Sequence, residues 1–362
     1  MKKTASRERS RTVFVGMSGG VDSSVTAGIL KDQGYNVVGV HLRCWNVDGC
    51  AQQDAEDARR AAETLQIPFY VFDFEKEYRD RVVEYMVEGY RSGITPNPDV
   101  ACNQEIKFGM FFARALALGA DFVATGHYVR LKRATPTPAG SGLRPRTASV
   151  GVELYTAKDS DKDQSYFLWT LTQKQLKHCL FPLGDLIKKT DVRRLAKKYK
   201  LPNAEKKDSQ GVCFLGQISL PEFLDQFIPA RKGVVISATG KVLGSHKGSH
   251  YFTIGQRKGL GIGGSAKPLY VAQKDIKKNI IYVGGEGDLS DKGTKITGIN
   301  WINREPKLAT RIDVKVRYRS KSEKAILSKS GTLRFIKSVR AITSGQSAVF
   351  YKGQELLGGG VI

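Results

Sequence analysis

The sequence predicts an α/β amino-terminal domain built on a doubly wound parallel sheet, followed by small β-rich domains that include a carboxy-terminal β-barrel. Three observations carry this. Strand-like and helix-like stretches alternate through the first half; the second half breaks into short β-prone runs separated by glycine; and the loop after the first strand is rich in Gly and Ser. At 362 residues the chain exceeds one ordinary domain and suits two or three, each with its own core. The expected divisions are 1–205, 206–285 and 286–362.

The elements follow in order. Val13–Gly16 is an apolar run of the kind that forms a buried strand, and Ser23–Gln33 is helical, closed by Gly34. Asn36–Leu42 is a second strand. Gln53–Gln66 places Ala55, Ala58, Ala62 and Leu65 at helical spacing. Pro68–Phe74 is a third strand, Tyr78–Tyr90 and Gln104–Leu118 are helices, and Asp121–Leu131 is another strand. Arg133–Gly151, RATPTPAGSGLRPRTASVG, reads as a surface insertion between two strands. Val152–Lys158 resumes as strand, and Gln173–Leu180 and Thr190–Lys200 read as helices. Beyond Lys206 the β-prone runs are Gly233–Ile236, His250–Ile254, Leu269–Ala272, Ile280–Val283, Lys295–Trp301, Ile312–Tyr318, Gly331–Phe335 and Gln346–Tyr351. Ligands of a parallel sheet bind beyond the carboxyl ends of its strands. The loops after Gly16, after Leu42 and around Thr125-Gly126-His127 are therefore expected to meet.

Composition narrows the function. The net charge is +23, from 58 basic and 35 acidic residues, which points to a polyanionic partner such as nucleic acid; the plain alternative is solubility. No stretch approaches ~18 continuous apolar residues, so no membrane association is expected. The basic start MKKTASRERSRT leads into a strand rather than a signal-peptide core, and the expected location is cytoplasmic. Five cysteines, an odd number, do not make a disulfide framework.

The loop Ser18-Gly19-Gly20-Val21-Asp22-Ser23-Ser24 between strand and helix suits an anion. Glycines let backbone N–H groups converge, the helix start adds positive potential, and the serines offer hydroxyls. The lysine of a Walker loop is missing, and Asp22 suits Mg²⁺ better than direct phosphate contact. SGGVDSS resembles the signature of the ATP pyrophosphatase (PP-loop) family. That resemblance implies cleavage of ATP between its α and β phosphates and transfer of AMP to a substrate oxygen.

Two cysteines stand apart from the others. Thr95-Pro96-Asn97-Pro98-Asp99-Val100-Ala101-Cys102 leads into a helix, and Cys102 is expected at its N-terminus, where the dipole favours thiolate, with Lys107 nearby. Asp208-Ser209-Gln210-Gly211-Val212-Cys213 forms a polar turn after Lys206 and Lys207. Cys44, Cys50 and Cys179 lack such settings; Cys179 reads as helix packing, and no spacing supports a zinc site.

These features together with GMSGGVDSS, TPNPDVACNQEIKFG, ATGHY, KDSDKDQSYFL, FPLG, DSQGVCF and HYFTIGQRKGLG resemble the tRNA-specific 2-thiouridylases across nearly the whole chain. The resemblance implies an ATP- and Mg²⁺-dependent sulfurtransferase that makes 2-thiouridine at the wobble position of tRNA. A cysteine desulfurase or a sulfur-relay protein would be the donor. It places Gly16, Met17, Ser18, Gly19, Gly20, Val21, Asp22 and Ser23 around ATP, with Leu42 and Gly126 also on the nucleotide. Leu42 stands where many members carry methionine. Asn97, Pro98 and Asp99 would meet the target base. Cys102 would be the nucleophile and Cys213 the persulfide carrier, the two forming a transient disulfide. His127, Lys162, Asp163, Gln164, Arg317, Tyr318 and Gln346 would contact tRNA. Tyr128, Tyr318 and Trp301 are candidate stacking residues or simple packing, and Gly255–Gly261 is a phosphate clip or only a hairpin. Three rivals stand: a PP-loop ligase of small molecules, a non-catalytic RNA-binding protein, and an iron–sulfur variant.

Overall fold

Strand β1 (Thr12–Gly16) forms where the apolar run predicts it, with Val13 and Val15 fully buried. The computed structural model describes residues 10–45, 51–133, 151–207, 218–263, 267–307 and 311–362. Their contacts divide into two units. The first takes the described residues within Met1–Glu75, Asn103–Ser165 and Leu171–Gln210, and the second those within Lys76–Cys102, Tyr166–Thr170 and Gly211–Ile362.

In the first unit β2 (Asn36–Arg43), β3 (Phe69–Asp73), β4 (Phe122–Thr125) and β7 (Cys179–Leu180) join β1 in a parallel sheet of order β3-β2-β1-β4-β7. The chain winds outward through β2 and β3, then returns to lay β4 on the other side of β1. Gly16 pairs in register with Thr125, so the ends of β1 and β4 lie side by side at the switch point. Helices Val21–Asp32 and Ala51–Thr64 start two residues earlier than expected. The first buries Val25, Ala27 and Leu30 against Val13, Val15 and Val37. At Gly28 a Cβ would lie 2.6 Å from the ring of Tyr199, so this helix needs glycine for close packing.

Three readings are corrected here. Asp121–Leu131 is not one strand: β4 ends at Thr125, and β5 (Val129–Arg133) pairs antiparallel with β6 (Val152–Thr156). The break comes at Gly126, where the backbone lies so close to Ser23 and Asp22 that a Cβ would not fit. Only Gln173–Leu176 of the expected Gln173–Leu180 helix is helical. A Thr172–Gln175 capping box starts it, and Cys179 then extends the sheet as part of β7 rather than packing from a helix. The helix expected from Gln104 begins at Pro98, because Asn97 caps it and Pro98 takes its first position. It continues through the π-helical stretch Cys102–Phe111 and the α-helical stretch Phe112–Ala117.

The second unit contains two antiparallel-rich sheets. β8 (Gly233–Ser237), β9 (Val242–His246), β10 (Tyr270–Asp275) and β11 (Ile280–Gly284) form a sheet of order β10-β11-β8-β9 over Val235, Val271 and Ile281. β12 (Ser290–Lys295), β13 (Thr297–Trp301), β14 (Arg311–Lys315), β15 (Glu323–Leu327), β16 (Thr332–Arg340), β17 (Ser347–Lys352) and β18 (Glu355–Val361) follow, in the order β12-β16-β15-β14-β17-β18 with β13 off this path and paired to β18. Their core is Ile312, Val314, Leu327, Leu333 and Phe350. The expected strand His250–Ile254 is a 3₁₀ turn at Ser249–Tyr251 instead. Strands β9, β12, β15 and β18 escape sequence reading because glycine or charge dilutes their apolar pattern.

Candidate active site

The phosphate loop is organised by its own serines. Ser18 N donates to Ser23 Oγ at 3.1 Å, and the Ser23 and Ser24 hydroxyls both donate to Gly20 O at 3.1 Å. Met17 N donates to Val40 O at 2.7 Å, fixing the loop's exit from the sheet. Gly19 has φ +79°, and a Cβ there would lie 2.3 Å from Asp54 O. Helix Val21–Asp32 starts at Gly20 with no side-chain cap, so its first N–H groups remain for a ligand. A Cβ on Gly126 would sit 2.8 Å from Ser23 N. The position therefore demands glycine for backbone approach. Half-buried Leu42 lies near the end of β2, beside β1. His41 Nδ1 lies 3.0 Å from Met17 O, and burial pushes this imidazole below the ordinary histidine pKa.

The sequence shows no lysine in the loop, but the fold delivers one. Lys188 Nζ donates to Asp22 Oδ1 at 2.5 Å, with only 4% of its side chain exposed. Tyr128 OH donates to the same oxygen at 2.7 Å. Asp22, half-buried, is thus ion-paired to a buried lysine at the phosphate loop. Asn203 adds a brace: its Nδ2 donates to Gly19 O at 2.9 Å and to Ser24 Oγ at 3.0 Å, while its buried Oδ1 has no partner among the described residues. Neither Lys188 nor Asn203 carries a local signal. Lys188 opens a Lys-Lys pair that reads as solvated surface, and Asn203 follows a proline in an apparent loop.

The loop fits the phosphates of a nucleotide: it offers convergent N–H groups, a cradle that a Cβ would fill, and a buried cation. It does not make an all-protein metal site. Among the described residues no group of three His, Cys, Asp or Glu side chains could hold a metal ion, and Asp22 is engaged with Lys188 and Tyr128.

The second candidate cluster lies in the other unit. Asn97 Oδ1 accepts from Val100 N at 3.2 Å, and Asn97 and Pro98 are buried while Asp99 is half-buried. Cys102 is 8% exposed and stands one turn beyond Pro98, not at the helix N-terminus. The helix dipole acts mainly within the first turn, so it reaches this thiol weakly. Cys213 and its polar turn lie outside the described residues, as do Cys50 and most of the 133–151 insertion, and so does the pairing of Cys102 with Cys213. Just before that turn, Lys206 Nζ reaches Asp54 Oδ1 at 2.7 Å and Asp57 Oδ2 at 2.6 Å. Burial works against its charge, but the two carboxylates outweigh it and raise its pKa.

The residues linked to tRNA by resemblance are scattered. Gln164 Oε1 accepts from Tyr128 N at 3.0 Å. Asp163 is buried and accepts from Ala157 N and from Ser165, so it closes a turn, while Lys162 beside it is half-exposed. Tyr318 packs on Phe167 with ring centroids 4.4 Å apart, and Trp301 packs on Phe350 at 5.3 Å. Tyr128 is 2% exposed and its hydroxyl is engaged by Asp22, so its ring is packed rather than open for stacking. In the Gly255–Gly261 loop Arg257 and Lys258 are exposed. Arg317 and Gln346 both spend side-chain donors on backbone oxygens of the second unit.

His127 is buried, with Nδ1 2.8 Å from Thr125 Oγ1 and its ring 5.8 Å from that of Phe108. Burial, aided by the Lys107 charge, holds its pKa well below the ordinary value. The unfolded chain protonates it near ~6.5 while the folded one keeps it neutral. Its contribution to stability is thus fully present above about pH 6.5 and lost as pH falls below that value. The melting temperature should fall from pH 7.5 to 5.5, and His127→Gln should flatten the fall; an equally steep fall in the variant would exclude His127 as its source.

Family models match along the chain. A tRNA methyl transferase HUP domain covers residues 11–217, a tRNA methyl transferase PRC-barrel domain 221–285, and an aminomethyltransferase β-barrel domain 291–362. The class is therefore a nucleotide-loop α/β domain followed by two barrels, in agreement with the fold class read from the sequence. The tRNA-specific 2-thiouridylase MnmA of Bacillus subtilis (strain 168) is 44% identical over 371 residues, covering 98% of this chain and 96% of the relative. That of Listeria monocytogenes serovar 1/2a is 45% identical over 365 residues, covering 97% and 94%. The chain belongs to the tRNA-specific 2-thiouridylase family. Among solved structures, NMN synthetase from Francisella tularensis aligns at 19% identity with TM-score 0.33, covering 55% of this chain and 66% of that one.

Proposed function

We propose that the protein is an ATP-dependent tRNA-uridine 2-sulfurtransferase that converts the wobble uridine of tRNA to 2-thiouridine. The carrying observation is the phosphate loop at the switch point, completed by the Lys188–Asp22 pair. The domain models are described by methyl transfer, whereas the relatives along nearly the full length are thiouridylases. The thiouridylase reading is preferred because a helix N-terminus with a buried lysine suits a phosphate ligand, not an uncharged or cationic methyl donor.

Uracil C2 resists attack because its oxygen leaves badly. ATP supplies the remedy by placing AMP on that oxygen, and Mg²⁺ would arrive with the phosphates, bound mainly by their oxygens. The chain's part is to hold the phosphates on the Gly16–Ser24 loop, balance charge with Lys188, and seat the base near Asn97, Pro98 and Asp99. Sulfur would come from a Cys213 persulfide loaded by a cysteine desulfurase or relay protein. In one route the Cys102 thiolate attacks the Cys213 Sγ, forming the Cys102–Cys213 disulfide and releasing hydrosulfide, which attacks C2 and expels AMP. In the other the terminal persulfide sulfur attacks C2 and expels AMP, and Cys102 then attacks the Cys213 Sγ to free the thiolated base. Both routes leave a disulfide that an external thiol must reduce, which suits the cytoplasm. The wobble base must leave the anticodon stack, which a single-stranded loop makes inexpensive, and the net charge of +23 favours the RNA backbone.

The test combines protein, ATP, Mg²⁺, a sulfide source and a wobble-uridine tRNA, followed by nucleoside mass spectrometry. Formation of 2-thiouridine with stoichiometric AMP is expected. AMP release with ammonia and a small acceptor, but not with tRNA, would favour the small-molecule ligase reading instead.

A further inference from the structure

The resemblance assigns Gln346 and Arg317 to tRNA, yet the structure gives both another task. Gln346 Nε2 donates to Thr95 O at 2.9 Å and to Pro96 O at 3.3 Å. Thr95 N donates to Ser344 O at 2.8 Å. Between these bonds Gly345 has φ +89°, and a Cβ on it would lie 2.9 Å from Thr95 O. The 343–346 turn therefore grips the segment immediately before Asn97 through the Gln346 amide and one main-chain bond. Thr95 is itself buried, with no partner for its hydroxyl among the described residues. Opposite the turn, Pro96 packs on Gly89, where a Cβ would meet the proline ring at 2.7 Å.

The turn is anchored in its own sheet. Gly345 N donates to Ile362 O and Ile362 N to Gln346 O, each at 2.9 Å. Arg317 Nη2 donates to Ala341 O at 2.9 Å, and to Thr343 Oγ1 and Ile254 O at 2.7 Å. A continuous set of bonds thus runs from Arg317 through the turn to Thr95 and Pro96. Asn97 follows as the cap of the helix that carries Cys102.

We propose that the 343–346 turn is a brace that positions the Asn97–Asp99 loop and Cys102, and that Gln346 and Arg317 act through it as positioning residues. A neutral amide releases no counterions from a phosphate backbone, whereas a loop held to within an ångström matters strongly to an oriented reaction. This inference rests on the proposed function for the roles of Asn97 and Cys102.

Gly345→Ala and Gln346→Met in the full-length protein test it. Neither adds a charge, and Gly345 has no side chain with which to bind RNA. Both are expected to lower kcat for thiolation by about ten- to a hundredfold, the scale of an ångström misplacement. They should leave the tRNA Kd within about twofold and its salt dependence unchanged, the profile of a lost positioning contact rather than a lost phosphate contact. A second readout needs neither ATP nor tRNA: alkylation of Cys102 by iodoacetamide, followed by peptide mass, should be several-fold faster in both variants. Weaker tRNA binding with kcat intact would overturn the brace, as would an unchanged Cys102 alkylation rate in Gln346→Met. If the wild type makes no 2-thiouridine the proposed function fails, while the alkylation comparison still decides the brace.

Discussion

Cys102→Ser should abolish 2-thiouridine formation, by about 10³-fold or more, while ATP binding persists. Effects of this order accompany loss of a group that bonds to the reacting atoms. Serine is close to cysteine in size, so a buried helical position tolerates it, but its hydroxyl stays protonated and attacks sulfur poorly. Because Cys102 stands beyond the first helical turn, the helix terminus would do little to activate it. Nucleoside mass spectrometry measures the product, and calorimetric titration with ATP checks the loop. Thiolation at wild-type rate in this variant would remove Cys102 from the reaction.

The second large effect is expected at Lys188. Its ammonium is buried while Asp22 keeps 30% of its side chain exposed, so removing the lysine should cost less than the ~3–5 kcal/mol of a fully buried pair. Lys188→Met should lower the melting temperature and weaken ATP binding about a hundredfold or more, equivalent to about 2.7 kcal/mol. Part of the loss would come from an uncompensated carboxylate facing incoming phosphates. Asp22→Asn combined with Lys188→Met removes that carboxylate charge. The double variant should regain most of the stability yet still bind ATP poorly, because the cation is gone. Recovery of both would show that Lys188 serves only as partner to Asp22.

The two clusters were legible to different degrees. SGGVDSS is a contiguous loop, and its function is local: glycines where the backbone must turn, serines where hydroxyls lock the turn, and a helix behind them. Such a motif survives reading in one dimension. The start of the Cys102 helix was equally local, since Asn97-Pro98 is a cap followed by a first-turn proline, although the sequence reading begins the helix only at Gln104. The need for glycine at 126 could not be read, because what crowds it is Ser23 and Asp22 in a distant segment.

Alternation of apolar runs and turns was enough to determine the parallel α/β domain and the β-rich remainder, and contiguous residues the phosphate loop and the family motifs, since each depends on neighbours within a few turns of chain. The tertiary structure alone decided which distant groups complete them: Lys188, 166 positions from Asp22; Asn203, 184 from Gly19; and Gln346, 251 from Thr95. A lysine in a charged run or a glutamine in a turn looks like solvated surface until folding buries the one and half-buries the other. Its role is then set by the oxygen it meets, because a buried polar group must find its partner in space and not in sequence.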